Sequence, residues 1–379
     1  MKVEQHRWVM NGGWEQNQPW ALGQTAQLVL LFGGTSILKD QVELQKIRSK
    51  YPAACILGCS TSGEIYGAQV ADNSLVCTAV HFEHTKVKCG RIKVTEGIDS
   101  FRAGEILAQS LDPKGLVHVF VLSDGLSING SDLVEGLTRH LPPEVTVTGG
   151  LSGDGERFQE TYVLYDDTPE RDAVAIVGFY GNRLKVGYGS LGGWDSFGPE
   201  RLITRSKANV LYELDGKSAL ELYKKYLGDH AQGLPATALL FPLSLRMGDG
   251  ETGVVRTILG VNEQEQSMTF AGNVPEGSYA RFMKANFDRL IDGAVGAAKT
   301  NYEALGSKSP DLAILISCIG RKMVLKQRIE EELEGVRDVL GAQTTLAGFY
   351  SYGEISPFNP NAKCELHNQT MTITTFLEE

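Results

Sequence analysis

The chain has 379 residues, with 36 Lys and Arg against 46 Asp and Glu, a formal net charge of −10. Hydrophobic residues make up 42% and charged residues 22%, a balance typical of folded globular proteins and far from disordered ones. The acidic balance, with no block of Lys or Arg, argues against nucleic acid or an anionic membrane as the main partner.

At about 150 residues per domain, two packed domains are expected, 25–200 and 201–379. Residues Met1 to Trp8 contain no apolar signal core, so a cytoplasmic location is expected. Apolar runs such as Leu116–Leu122 and Leu312–Ile316 are of strand length, too short to span a bilayer. Six cysteines are too sparse for a disulfide scaffold, and reduced thiols are expected.

In chain order, one unit recurs three times. A strand-like run, Leu28–Phe32, ends in Gly33-Gly34 and is followed by a helix at about Lys39 to Lys50. A second apolar run, Cys55–Leu57, leads into Gly58-Cys59-Ser60-Thr61-Ser62-Gly63-Glu64, and Ser74–Phe82 closes the unit. The second copy runs from Leu116–Leu122 through Ser123-Asp124-Gly125, with a helix over Ser131–Leu141 carrying Leu133, Leu137 and Leu141 on one face. Val145–Thr148 then enters Gly150–Glu156, and Thr161–Tyr165 and Ala173–Tyr180 follow. The third copy has Leu312–Ser317, Cys318-Ile319-Gly320-Arg321, a helix over Lys326–Leu340, and Gly348–Glu354 before a closing strand at Glu365–Phe376.

The glycine-to-glycine spacing is the same in all three copies: Gly58 to Gly63, Gly150 to Gly155 and Gly348 to Gly353. Glycines at strand ends permit close backbone approach, so the motif reads either as a ligand-facing loop or as a bulge between packed sheets. The intervening segment differs. Ser196–Pro199 reads as a turn between modules and Lys217–Leu227 as an amphipathic helix. Ala238–Leu245, Gly253–Val261 and Ser267–Ala271 read as antiparallel strands, and Tyr279–Leu305 as a long helix. The fold expected is mixed α/β: repeated strand–helix–strand units with mainly antiparallel sheets flanked by helices, in two packed domains.

Common catalytic signatures are missing. Gly150-Leu151-Ser152-Gly153-Asp154 fails the nucleophile-elbow pattern at its last position, and no phosphate-binding loop, zinc-protease or haem-attachment motif occurs. Among the histidines, His118 lies in an apolar strand and is expected in the core. His140 sits in the last turn of a helix, where a cation complements the dipole. His6 and His230 are expected at the solvated surface, and His81 and His84, which flank a strand end, read as exposed loop histidines or as metal ligands. His367 opens the last strand after the turn over 357–360 and reads either as a pocket residue or as a structural histidine hydrogen-bonded across strands. Cys318 ends an apolar strand beside Arg321 and reads either as a buried structural cysteine or as a thiol whose pKa that cation would lower. Tyr350 and Tyr352 alternate and are expected on one strand face. If the closing strands pair, Cys318, Tyr350, Tyr352, Glu354 and His367 converge into a pocket with an aromatic wall, a carboxylate, an imidazole and a thiol.

The blocks Gly58–Glu64, Ser123–Gly125 with Gly149–Asp154, Phe270–Tyr279, Ser317–Arg321, Gly348–Phe358 and Cys364–Phe376 together resemble the FIST family of sensory proteins, over about residues 25 to 379. The likeness implies an N-terminal and a C-terminal FIST domain. Without an output domain, the chain looks like the nitric-oxide-sensing haem proteins of that family. That resemblance implies non-covalent haem and regulation of a partner histidine kinase or cyclic-di-GMP enzyme, without enzymatic turnover of its own. On that reading His367 is the axial iron ligand, with Tyr350, Tyr352 and Cys318 as fallback ligands or pocket wall. Arg321 would be a propionate partner and Glu354 an orienting carboxylate. Two alternatives stand beside it: a haem-free module binding a small metabolite such as an amino acid, and an enzyme using Cys318 as nucleophile with His367 as base.

Overall fold

The computed structural model describes all residues except 16–18, 247, 249–252 and 359–361, together with the side chain of residue 236. The turn expected over 357–360 therefore lies partly outside the described residues. The three sequence copies become three sheets of one plan. In each, a leading strand (Leu28–Gly33, Leu116–Ser123, Leu312–Cys318) runs parallel to a second strand (Cys55–Ser60, Thr146–Leu151, Thr345–Ser351). On its other side it runs antiparallel to a closing strand (Ser74–His81, Ala173–Tyr180, Met371–Glu378). An outer strand completes that edge: Lys2–Val9, Lys86–Lys93 and Leu184–Leu191. All other pairings between the described strands are antiparallel, as expected from the sequence.

The far edge of each sheet is supplied by a different copy. Glu64–Tyr66 of copy one pairs with the second strand of copy three, Gly353–Pro357 of copy three with that of copy two, and Val163–Tyr165 of copy two with that of copy one. The exchange closes a ring with pseudo-three-fold symmetry. Where the chains cross, the Ser62 N–H donates to the Tyr350 carbonyl (2.8 Å), Tyr352 to Leu151 (3.2 Å) and Gly153 to Ser60 (2.9 Å). This cyclic set satisfies backbone groups that strand crossing would otherwise orphan in the interior.

The inner faces of the three sheets meet in one core, with Leu30, Phe32, Phe120, Leu122, Ile314, Ile316, Phe349 and Phe376 all buried. Helices cover the outer faces: Gln41–Lys50, the pair Ser100–Ser110 and Gly130–His140, and the pair Phe287–Ala304 and Ile329–Leu340. Residues 195–284 form a lobe on an eight-stranded sheet, with its own core around Leu211, Tyr223, Phe270 and Phe282. Among the described residues, no helix is long and apolar enough to cross a membrane.

Several expectations are corrected. The long helix begins only at Phe287, because Tyr279–Lys284 alternates exposed and buried residues as a lobe strand and Asn286 caps the helix by accepting from the Arg289 N–H. Ala238–Leu245 is not one strand but a 3-10 turn, Ala236–Leu240, followed by Leu243–Arg246. The closing run splits into Cys364–His367 and Met371–Glu378, which join different sheets through Gln369 at a φ of 64°. Ser196–Pro199 is no inter-module turn but lies inside strand Asp195–Lys207, where the pairing register shifts. His6 is buried and stacked on Trp20 at 3.9 Å rather than solvated. Cys55 and Cys89, expected as thiols, form a disulfide joining two sheets, with Cα atoms 6.6 Å apart.

Candidate functional site

The glycine motif places carboxylates at the crossings. A Cβ on Gly58, Gly149 or Gly348 would stand 2.2, 1.9 or 1.8 Å from the carbonyl oxygens of Leu31, Val121 and Leu315, so the equivalent glycine of copy two is Gly149 rather than Gly150. The register moves by one, and Glu156 is not the counterpart of Glu64 and Glu354. Those two glutamates are latches for the closing strands. Glu64 accepts from the Ser74 N–H (2.9 Å) and hydroxyl (2.7 Å), and Glu354 from the same groups of Thr370 (3.1 and 3.0 Å). In copy two Asp124 takes this role, accepting from the Asp172 N–H at 3.1 Å. Burial raises Glu64 to about 7 and Glu354 to about 8, against the hydroxyl and N–H donors that favour the charged form.

The six residues singled out in the sequence are all buried but do not share a pocket. His367 lies opposite Glu354 on the neighbouring strand, with Nε2 on the Ser356 carbonyl at 2.8 Å. Burial lowers it to about 4, and the nearby Arg256 cation adds to that, so the ring is neutral at pH 7. Cys318 pairs in register with Ser351, and burial pushes its thiol up, with the Glu354 charge second, which outweighs the lowering expected from Arg321. Arg321 is engaged in an internal ion pair with Glu332 (2.8 Å), whose other oxygen accepts from the Tyr350 hydroxyl (2.8 Å). Tyr350 and Tyr352 do not form one wall. The chain leaves one sheet after Ser351 and enters another at Gly353, so the two rings pack in separate cores.

A haem held through His367 does not fit these surroundings. The residue is 1% exposed and its Nε2 is engaged. Nor does any group of three or more His, Cys, Asp or Glu among the described residues have a metal-holding arrangement.

Tyr352 does line a cavity. It has a volume of about 270 Å³ and lies between the body and the lobe. On the body side stand the loop Gly125–Gly130 and Phe158, and on the lobe side Asn209, Leu259 and Phe270. The rings of Phe158 and Tyr352 are stacked, with centroids 4.4 Å apart and an interplanar angle of 11°. Below them Asp154 organises the loop. Its carboxylate accepts from the N–H groups of Phe158 (2.9 Å), Gln159 (3.0 Å) and Glu160 (3.0 Å) and from the Tyr352 hydroxyl, which also donates to the Gly155 carbonyl (2.8 Å). Burial opposes its charge, but these donors outweigh it and hold Asp154 below the usual carboxylate range.

Phe158 adopts φ 52°, a left-handed conformation disfavoured for a bulky residue, which the Asp154 bonds sustain. Leu126, Phe158 and Leu259, each more than a third exposed, are three large apolar side chains gathered at this one opening. Among the described residues, none that lines the cavity is charged. Sequence reading found Tyr352 and missed Phe158, whose only signal was a lone aromatic in the polar run Arg157-Phe158-Gln159-Glu160.

Residues 27–217 match the FIST N domain and residues 219–357 the FIST C domain. An uncharacterised protein of Methanocaldococcus jannaschii is 24% identical over 328 residues, covering 79% of this chain and 62% of that protein. The chain thus spans less than two thirds of the length of this curated relative. Among solved structures, a cyanuric acid hydrolase from A. caulinodans is similar at a TM-score of 0.38 and 8% identity, over 99% of each chain. A second cyanuric acid hydrolase structure is similar at 0.37 and 6%, over 100% of this chain and 99% of that one.

Proposed function

This chain belongs to the FIST family, and we propose that it acts in sensing by enclosing a small, uncharged, flat-ringed ligand in the cavity between body and lobe. The observation that carries this reading is the stacked Phe158–Tyr352 platform in a lining without charge. Such a wall favours a ring that stacks by its face. It offers no charge to pair with the ammonium and carboxylate of a free amino acid, or with the propionates of haem. Ser127 and Asn209 supply side-chain polar atoms for the ligand's edge.

Binding would cover Leu126 and Phe158 from the body and Leu259 from the lobe together. The ligand then stabilises lobe positions that keep both walls in contact, and signal follows from that population shift. A histidine kinase or cyclic-di-GMP enzyme that reads the lobe would complete the pathway.

The test is calorimetric titration with uracil, nicotinamide and adenine as uncharged rings, glycine and leucine as amino acids, and hemin followed by its Soret band. The expected result is saturable binding of an uncharged ring, weakened at least tenfold in Phe158→Ala. Failure of all three rings, or a stoichiometric hemin band that shifts with nitric oxide, would overturn the reading.

A further inference from the structure

A larger cleft, about 1180 Å³, separates helix Gly130–His140 and the strand after it from lobe strands Leu243–Arg246 and Val254–Arg256. Its wall contains Arg256, only 6% exposed. The guanidinium donates from Nε to the Asn273 carbonyl (3.2 Å) and from Nη1 to the Leu366 carbonyl (2.7 Å). Among the described residues it has no ion pair, and Nη2 has no partner.

Arg321 makes the contrast plain. That side chain is also buried, and Glu332 neutralises it in place at 2.8 Å. A guanidinium keeps its proton in any protein environment, so Arg256 cannot escape its burial by becoming neutral. Two carbonyl dipoles compensate it in part, yet a buried charge ordinarily has a counter-ion. The rim is mixed in sign. Arg139, Arg246 and Lys363 stand there with Glu135, Glu144 and Glu365, three of each sign and all exposed or half-buried, so the further positive charge is that of Arg256 at the buried wall.

We infer that the cleft is a second ligand site, for a small molecule bearing a carboxylate or phosphate that pairs with Arg256. Glu365 is the carboxylate whose charge acts on this guanidinium. It therefore competes with an incoming anion from an exposed position that tolerates change.

Thermal unfolding and titration of the full chain with inorganic phosphate and with succinate, at ionic strength matched by sodium chloride, tests this and separates the two anion types. The expected result is a saturable rise in Tm with at least one anion, abolished in Arg256→Gln. In Glu365→Gln, which leaves Arg256 in place, affinity for that anion should rise about threefold. A rise no larger than that from chloride, or an affinity unmoved by Glu365→Gln, would overturn the inference. The site does not depend on the uncharged cavity, so Phe158→Ala should leave the anion response intact.

Discussion

Replacing Glu354 by Gln sets burial against hydrogen bonding at the strand crossings. Glu354 has no exposed surface; Oε1 accepts from the Ser351 hydroxyl at 2.6 Å and Oε2 from the Thr370 N–H and hydroxyl. Burial lifts its pKa from 4.5 to about 8. A raised value means the folded chain holds the proton more tightly than the unfolded one, so between these limits stability falls as pH rises. The contribution is whole below pH 4.5 and lost once pH passes about 8. At about 1.36 kcal/mol per pH unit, this amounts to roughly 5 kcal/mol.

The amide introduced by Glu354→Gln can keep every contact. Its oxygen replaces Oε2 toward Thr370, and its NH₂ donates to the Ser351 hydroxyl, whose own proton already reaches the Ser317 carbonyl at 3.3 Å. Across pH 4.5 to 8, where the group is half titrated at each end, urea unfolding should therefore show wild type losing about 4 kcal/mol relative to Glu354→Gln. Glu64, raised to about 7, should leave a common slope of about 3 kcal/mol in both proteins. Parallel profiles for the two proteins across pH 5 to 8 would refute the reasoning, because Glu354 would then be ionised in the fold throughout.

Tyr352→Phe keeps the stack on Phe158 but removes the donor to Asp154, and should cost about 1.5–3 kcal/mol in chemical denaturation; a cost under about 0.5 kcal/mol would contradict the assigned bond. Gly348→Ala drives a Cβ to 1.8 Å from the Leu315 carbonyl and should destabilise by more than about 3 kcal/mol, whereas Gly260→Ala, with nothing within 4 Å, should stay within about 1 kcal/mol. Alkylation of denatured, unreduced protein should label four of the six cysteines, leaving Cys55 and Cys89. Reducing that bridge, which spans 34 residues, should cost at most about 4 kcal/mol on chain-entropy grounds; labelling of all six would remove the link.

Elements whose signal is local were legible. Leu28–Phe32, Ala173–Tyr180 and the helix ending at Leu227 announce themselves through apolar periodicity, and the three-fold recurrence through repeated order and spacing. His118 was readable as a core residue, and its ring bonds Thr146 and Thr148 at 2.7 and 3.0 Å. Where two local signals competed, the reading failed. Tyr279–Leu305 is apolar enough for one helix, but its first six residues are claimed by the lobe sheet and Asn286 marks the true start.

Order and spacing along the chain suffice to show one strand–helix–strand unit used three times with glycines at each crossing, but not that Asp124 rather than Glu156 supplies the copy-two carboxylate. Which sheet each crossing strand joins is settled in three dimensions alone, because pairing between Gly348 and Ile65 or between Gly150 and Glu354 leaves no mark within either segment. That decision sends Tyr350 and Tyr352 into different cores and buries Arg321 against Glu332. It also brings residues 125–130, 158, 209, 259 and 352 to one cavity. Spacing along the chain fixes which side chains share a face of one element. Which faces then meet depends on closure of the ring, where each strand edge must find its hydrogen bonds in a neighbour far away in sequence.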